Sequence, residues 1–195
     1  MWGSAMPAEP PFLEDNMPGK IIVDAETMDR TLARIAHQII EQNTKDAVLY
    51  LVGIKRRGVP LSHRLKAFIE KFSDVQVVLG ELDITLYRDD LTERYQDPHL
   101  NSTVIPFDVN GKNIILVDDV LFTGRTTRAA MDALIGLGRP ARIQLCVMVD
   151  RGHREYPISA NYVGKNIPTS RDEFVSVRVE EIDGVNEIAL SQKKE

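Results

Sequence analysis

A single cysteine, Cys146, stands among 195 residues. No intramolecular disulfide can form, so the fold must rest on its core, and a reducing compartment, the cytoplasm, is expected. The apolar setting of the thiol, "IQLCVMVD", points to a buried and inert group. The four histidines, His37, His63, His99 and His153, show no metal-ligand spacing, which argues against a structural zinc site. No apolar run approaches the roughly 20 residues of a membrane-spanning helix, and the first residues lack the basic-then-apolar pattern of a secretory signal. Nor is positive charge in excess: 24 Lys and Arg face 29 Asp and Glu, a formal net charge of −5. Such a chain does not hold nucleic acid by its overall field, although a local basic face is a separate quantity. Both common nucleotide-binding glycine loops, G-x-x-x-x-G-K-[ST] and G-x-G-x-x-G, are also missing.

What is present is an ordinary globular composition, 43% hydrophobic and 27% charged, sufficient for one core and one domain. Residues 1–19, with prolines at 7, 10, 11 and 18 and no period, are read as a flexible N-terminal extension, and 20–195 as a single domain. Asp24 is placed to cap a helix in which Met28, Leu32, Ile35, Ala36, Ile39 and Ile40 recur at helical spacing. "AVLYLVGI" (47–54) predicts a strand buried on both faces, "VPLSHRLKAFIEKF" (59–72) a helix, and "VQVVLGELDIT" (75–85) a second strand. "NIILVDD" (113–119) predicts a strand, and 125–138 a helix stopped by Gly138 and Pro140; "IQLCVMVD" (143–150) predicts another strand. "FVSVRVEEID" alternates, as a last half-exposed strand would. The polar stretch at about 86–105 is long for a compact domain and is read as a flexible lid loop. Strands alternating with helices imply an α/β fold, with a parallel sheet covered on both faces and ligands bound beyond the carboxyl ends of its strands.

One strand–loop–helix junction, "ILVDDVLFTGRTT" (115–127), concentrates chemistry at such an end. The backbone N–H groups of 122–127, with the hydroxyls of Thr123, Thr126 and Thr127, can surround an anion at the positive end of the following helix, and Arg125 adds charge-assisted donors. Asp118 and Asp119 can accept hydrogen bonds from vicinal hydroxyls, as on a ribose. Acids for a sugar beside a cup for its phosphate describe a 5-phosphoribosyl group. A second junction, "GIKRRG" (53–58), sets Lys55, Arg56 and Arg57 between glycines, which suits a ligand with several anionic oxygens.

"IILVDDVLFTGRT" (114–126) resembles the 5-phosphoribosyl-1-pyrophosphate (PRPP) signature of the type I phosphoribosyltransferases. That resemblance implies the family's fold, a mostly parallel central sheet with helices on both faces and a small hood. It implies that Asp118 and Asp119 hold the ribose hydroxyls, and that Val120, Leu121, Phe122, Thr123, Gly124, Arg125 and Thr126 make up the ribose and 5-phosphate site. "GIKRRG" resembles the family's pyrophosphate loop, often built on a cis non-proline peptide, and assigns that role to Lys55, Arg56, Arg57 and Gly58. Longer matches, among them "GELDITLYRDDL", "GRPARIQLCVMVDRGHREYPI" and "YVGKNIPTS", narrow the resemblance over residues 20 to 182. The subgroup is that of bifunctional pyrimidine-operon attenuation regulators with uracil phosphoribosyltransferase activity.

Membership in this subgroup implies uracil and PRPP as substrates, UMP and pyrophosphate as products, and Mg²⁺ bound with PRPP, its contacts to Asp118 and Asp119 running through water. Arg88, Asp89 and Asp90 open the lid loop, Arg88 in a catalytic role; uracil is expected near the backbone of Arg151 and Ile167. It also implies binding of the pyrimidine-operon leader mRNA, favoured by uridine nucleotides, and assembly into a dimer or larger homo-oligomer. Arg30, Arg34 and His37 share a face of the first helix away from its apolar stripe, and Arg154 and Lys165 are expected to extend it. Ala33, Gln42 and Ser159 depart from the hydroxyl or basic residues often found in the subgroup. A salvage uracil phosphoribosyltransferase without RNA binding, and a nucleotide-sensing regulator without turnover, stay open beside the bifunctional reading.

Overall fold

The computed structural model describes residues 19–84 and 103–192. The N-terminal extension to residue 18, and Arg88, Asp89 and Asp90 with most of the expected lid loop, lie outside the described residues. The chain runs β1 (Lys20–Val23), α1 (Ala25–Gln42), β2 (Val48–Ile54), α2 (Gly58–Phe72), β3 (Gln76–Leu82), β4 (Asn113–Leu121), α3 (Arg125–Leu137), β5 (Arg142–Asp150), β6 (Tyr162–Asn166), β7 (Glu173–Arg178), α4 (Glu180–Asp183) and β8 (Glu187–Gln192).

Five strands form a sheet in the order β3-β2-β4-β5-β6, with every pairing parallel. Its strands are apolar on both faces because both are covered. On β4, Ile115 and Val117 point into a core shared with α1 and α2, while Ile114 and Leu116 point into a second core beneath α3. This is the two-residue period of a strand, and full burial of each such side chain contributes about 1.5–3 kcal/mol. Asp24 caps α1 by accepting the Thr27 N–H at 2.8 Å, and Met28, Leu32, Ile35, Ala36 and Ile39 are its buried stripe. At the other end of α1, the buried Asn43 side chain donates to the Tyr162 hydroxyl, which also receives the Gln144 amide, each at 2.8 Å. These bonds tie the helix to the β5–β6 edge.

The remaining strands form an antiparallel sheet, β1-β8-β7, which supplies the expected hood. Here the structure adds to the sequence reading. The alternating "FVSVRVEEID" is β7 only as far as Arg178, after which Glu180–Asp183 turn as the short α4. β8 then returns between β1 and β7. β1, β6 and β8 had no counterpart among the predicted strands.

Strand order fixes where a ligand can sit. From β2 the chain crosses to β3 on one side and later returns to β4 on the other. The carboxyl ends of β2 and β4 therefore flank the switch point, where an open parallel sheet leaves a crevice. "GIKRRG" follows β2 and the acid pair ends β4.

Candidate functional site

Asp118 is buried and Asp119 half-buried near the end of β4. Asp118 Oδ1 accepts the Asp119 N–H at 3.0 Å, and Asp119 Oδ1 accepts the Val120 N–H at 2.8 Å. Each acid is thus steadied by the backbone that follows it. Beyond Leu121 the chain turns through Phe122, Thr123 and Gly124 into α3. Gly124 holds the N-cap position in the left-handed region, φ 92°, which favours glycine. Glycine offers no capping side chain; the Arg125 N–H reaches the Thr123 hydroxyl at 3.4 Å, and the positive end of α3 faces the turn, where an anion is favoured. Thr123 and Thr127 are buried there and Thr126 is half-buried. Arg125 reaches outward instead, its guanidinium held by the Glu155 carboxylate at 2.7 and 2.9 Å.

The basic turn after β2 is brought beside this cup by a glycine. A Cβ on Gly58 would collide with the Val117 carbonyl oxygen and stand 3.4 Å from the Asp118 Cα. Only glycine allows α2 to begin against the strand that carries the acids. The Lys55–Arg56 peptide is cis, where the family resemblance expects one. Lys55 lies 3.2 Å from the Glu81 carboxylate, and the exposed Arg56 lines an open cleft of about 540 Å³ with His63 and Ile182. Arg57 is clamped to the hood: its Nε and Nη2 meet the two Asp183 oxygens at 3.0 and 2.8 Å. A second clamp joins Arg64 to Glu181 at 2.6 and 2.9 Å. Burial pushes the Asp183 carboxyl up, but the Arg57 bonds and the Val179 N–H outweigh it and hold the group below the usual carboxylate range. The Arg64 hydrogen bond does the same for Glu181. The Cys146 thiol, by contrast, is pushed up to about 12 by burial and is inert, as its apolar setting suggested.

On the far side of the cup, the buried Arg151 lays its guanidinium 4.1 Å from the centre of the Phe122 ring. It donates to Thr169 Oγ1 at 3.0 Å and to the Ser170 carbonyl at 3.2 Å. Its own N–H goes to the Leu121 carbonyl at 3.1 Å, and that of Ile167 to the Asp150 carbonyl at 2.9 Å. The amides of Arg151 and Ile167 are therefore both committed within the fold.

The basic residues of α1 are exposed, and Arg34 crosses to β6, donating to the Val163 and Gly164 carbonyls at 3.1 and 2.5 Å. That contact brings Lys165 into the same neighbourhood. His37 stacks on Phe72, with ring centroids 4.2 Å apart. Arg154 does not join this face, contrary to the sequence expectation. Its guanidinium is turned inward, donating to the Ile158 and Phe122 carbonyls at 2.9 Å, to Gly152 O at 3.2 Å and to the Asp150 carboxylate. Asp183 and Glu181 were not among the residues singled out in the sequence. The acids lie in a stretch that reads as strand, and nothing local marks them as partners of arginines more than 100 positions away.

The phosphoribosyl transferase domain family matches residues 19–181 of this chain. A bifunctional protein PyrR from Thermus aquaticus is 58% identical over 173 residues, which cover 89% of this chain and 96% of that protein. A bifunctional protein PyrR from Clostridium novyi is likewise 58% identical over 173 residues, covering 89% of this chain and 97% of its own length. Among solved structures, the hypoxanthine phosphoribosyltransferase of Trypanosoma cruzi superposes with a TM-score of 0.70 over 90% of this chain and 97% of that one. At 19% identity that likeness speaks for the fold alone. Domain match, switch-point geometry and high identity to the PyrR proteins agree: the chain belongs to the phosphoribosyltransferase family, in the group of the bifunctional PyrR proteins.

Proposed function

We propose that this chain transfers the 5-phosphoribosyl group of PRPP to uracil, releasing UMP and pyrophosphate, and that it regulates a pyrimidine operon by uridine-nucleotide-dependent binding of its leader mRNA. The observation that carries the first half is the approach of Gly58 to Val117 and Asp118, which sets a phosphate cup, two acids and a basic turn around one crevice. The 5-phosphate enters the cup at 122–127, the ribose hydroxyls meet Asp118 and Asp119, and the pyrophosphate lies toward Lys55, Arg56, Arg57 and the backbone up to Gly58. As pyrophosphate leaves C1, positive charge develops on the sugar. The basic turn stabilises the leaving group, the cup holds the other end still, and the acids sit where the sugar's charge appears. Uracil N1 bonds to C1 as the C1–O bond to pyrophosphate breaks, its proton leaving with the pyrophosphate, while backbone groups near Arg151 and Ile167 read the N3–H edge.

Family members generally use Mg²⁺ with PRPP. The donor set fits: the two carboxylates of Asp118 and Asp119 are hard oxygen ligands. Asp118 and Asp119 would hold the ion through water. When bound, it neutralises pyrophosphate charge.

The regulatory half is supported by the PyrR relatives and by the exposed basic residues Arg30, Arg34 and His37 of α1 and Lys165 of β6, Arg34 reaching β6 through the Val163 and Gly164 carbonyls. An acidic protein holds RNA through such a patch. UMP strengthens RNA binding only to the extent that RNA strengthens UMP binding. A homo-oligomer acting in the cytoplasm completes the proposal. No helix among the described residues is long and apolar enough to cross a membrane. Turnover of uracil with PRPP and Mg²⁺, with hypoxanthine and orotate as competitors, tests the enzyme. Faster turnover of either competitor overturns the uracil assignment. Filter binding of leader RNA with and without UMP, on wild type and the Arg34→Ala and Lys165→Ala variants, tests the regulator, and binding that ignores both UMP and these substitutions leaves the enzyme alone.

A further inference from the structure

We infer that Arg154 is a positioning residue for the phosphate cup, turning the amides of Thr123 and Gly124 toward the 5-phosphate by pinning the cup's carbonyls on the opposite side. The inference rests on the phosphoribosyl reading of the site. Four consecutive cup residues are each fixed by a different group of one loop, 151–158. The Phe122 carbonyl accepts from Arg154 Nη1 at 2.9 Å. The Thr123 carbonyl accepts the N–H groups of Glu155 and Tyr156 at 2.9 and 3.0 Å. Gly124 lies against Tyr156 and Ile158, where a Cβ would stand 3.3 Å from the Tyr156 Cβ. Arg125 is held by Glu155 at 2.7 Å.

A trans peptide is planar, with its C=O and N–H pointing in opposite directions. When the Phe122 oxygen is drawn toward Arg154, the N–H of Thr123 must point away from it. When the Thr123 oxygen is drawn toward the loop, the N–H of Gly124 does the same. Both amides then face the side on which the anion sits. The loop can do this only if it keeps its own shape, and Arg154 supplies that as well. Its Nε donates to Ile158 O at 2.9 Å and its Nη1 to Gly152 O at 3.2 Å, so one guanidinium bridges both ends of the loop. Asp150, at the end of β5, anchors the group to the sheet. The side chain is only 23% exposed, little of it free to meet a macromolecule. A planar fork with five donors can serve four acceptors in fixed directions, which lysine cannot.

The test compares wild type with Arg154→Met, which keeps the apolar stem, and Arg154→Lys, which restores one donor. Three constants are measured: Kd for UMP by calorimetry, and KM for PRPP and for uracil by turnover. The expected result is a loss of roughly ten- to a hundred-fold for UMP and PRPP alike in the methionine variant, an intermediate loss in the lysine variant, and an unchanged KM for uracil. Unchanged UMP affinity with loss of leader-RNA binding would overturn the inference and make Arg154 an RNA contact. A parallel rise in all three constants with a lowered Tm would also overturn it, since that is the mark of a merely structural residue. A wild-type protein that binds neither UMP nor PRPP would instead remove the phosphoribosyl reading itself, and the two failures are separable because one appears in the wild type and the other only in the variants.

Discussion

Two turns leave adjacent parallel strands and face one crevice, yet they are held by different means. The turn after β4 is a cup of backbone amides, its carbonyls pinned from behind by loop 151–158. The turn after β2 works through side-chain charge, and its Arg57 is fastened to the hood by Asp183. Fixed amide dipoles are neutral and do not titrate, so the cup suits a single phosphate at any working pH. A cationic turn offers more charge to a leaving group, but its geometry depends on an ion pair that acid can break.

The comparison is broken most severely where the two turns meet. Asp118→Asn and Asp119→Asn should each lower kcat by about 10²–10³ while leaving the Tm near that of wild type, since the acids end a strand whose packing lies behind them. A large fall in Tm instead would make the pair structural. Gly58→Ala should come next, because its methyl group must push the basic turn off the Val117 carbonyl. Overpacking of this kind costs about 1–3 kcal/mol, visible as a lower Tm together with a raised KM for PRPP; an alanine variant with wild-type KM would mean the turns need not touch.

Arg57→Ala sharpens the contrast between the turns. A hydrogen bond to a charged group contributes about 1.5–3 kcal/mol, so pyrophosphate and PRPP should weaken by roughly ten-fold or more and UMP should not. Equal losses in calorimetry would take pyrophosphate out of the account of that turn. Acid should mimic part of this change. The Asp183 carboxyl titrates below its ordinary range in the folded protein, so its stabilisation is fully present above the unfolded value of about 4 and is lost as pH falls through the lower, folded one. The Tm difference between wild type and Asp183→Asn should be constant at neutral pH and close in acid; a gap independent of pH would exclude the ion pair as its source. The smallest effect belongs to the RNA face. Each phosphate neutralised contributes a log–log salt slope of roughly −0.7 to −0.9, and Arg34→Ala should flatten that slope by about one contact. An unchanged slope would place RNA elsewhere.

How much of this was legible follows from what is contiguous. "NIILVDDVLFTGRT" carries strand, acids, turn and helix start in one run, so its local structure could be read directly, down to the helix beginning at Arg125. "GIKRRG" was legible as chemistry, but its approach to the acids depends on Gly58 meeting β4, a contact no local pattern encodes. β1 and β6 were missed because they are short or mixed: β1 has four residues, and β6 is "YVGKN", with a glycine and two exposed polar residues. Arg57 and Asp183 lie 126 positions apart, so neither sequence neighbourhood announces the other. The inward turn of Arg154 was not legible for a related reason. An arginine in "GHREY" looks the same whether it faces solvent or four acceptors of its own loop, and only the fold decides.

The central claim is that the two turns hold the two ends of one ligand, and competition calorimetry tests it most directly. UMP and pyrophosphate are each titrated into the protein alone and then into protein saturated with PRPP, with Mg²⁺ present throughout. The account predicts that UMP and pyrophosphate leave each other's sites accessible while PRPP excludes both, since it fills the cup and the basic turn together. PRPP that blocks only one of them, leaving the other to bind at full affinity, would contradict it.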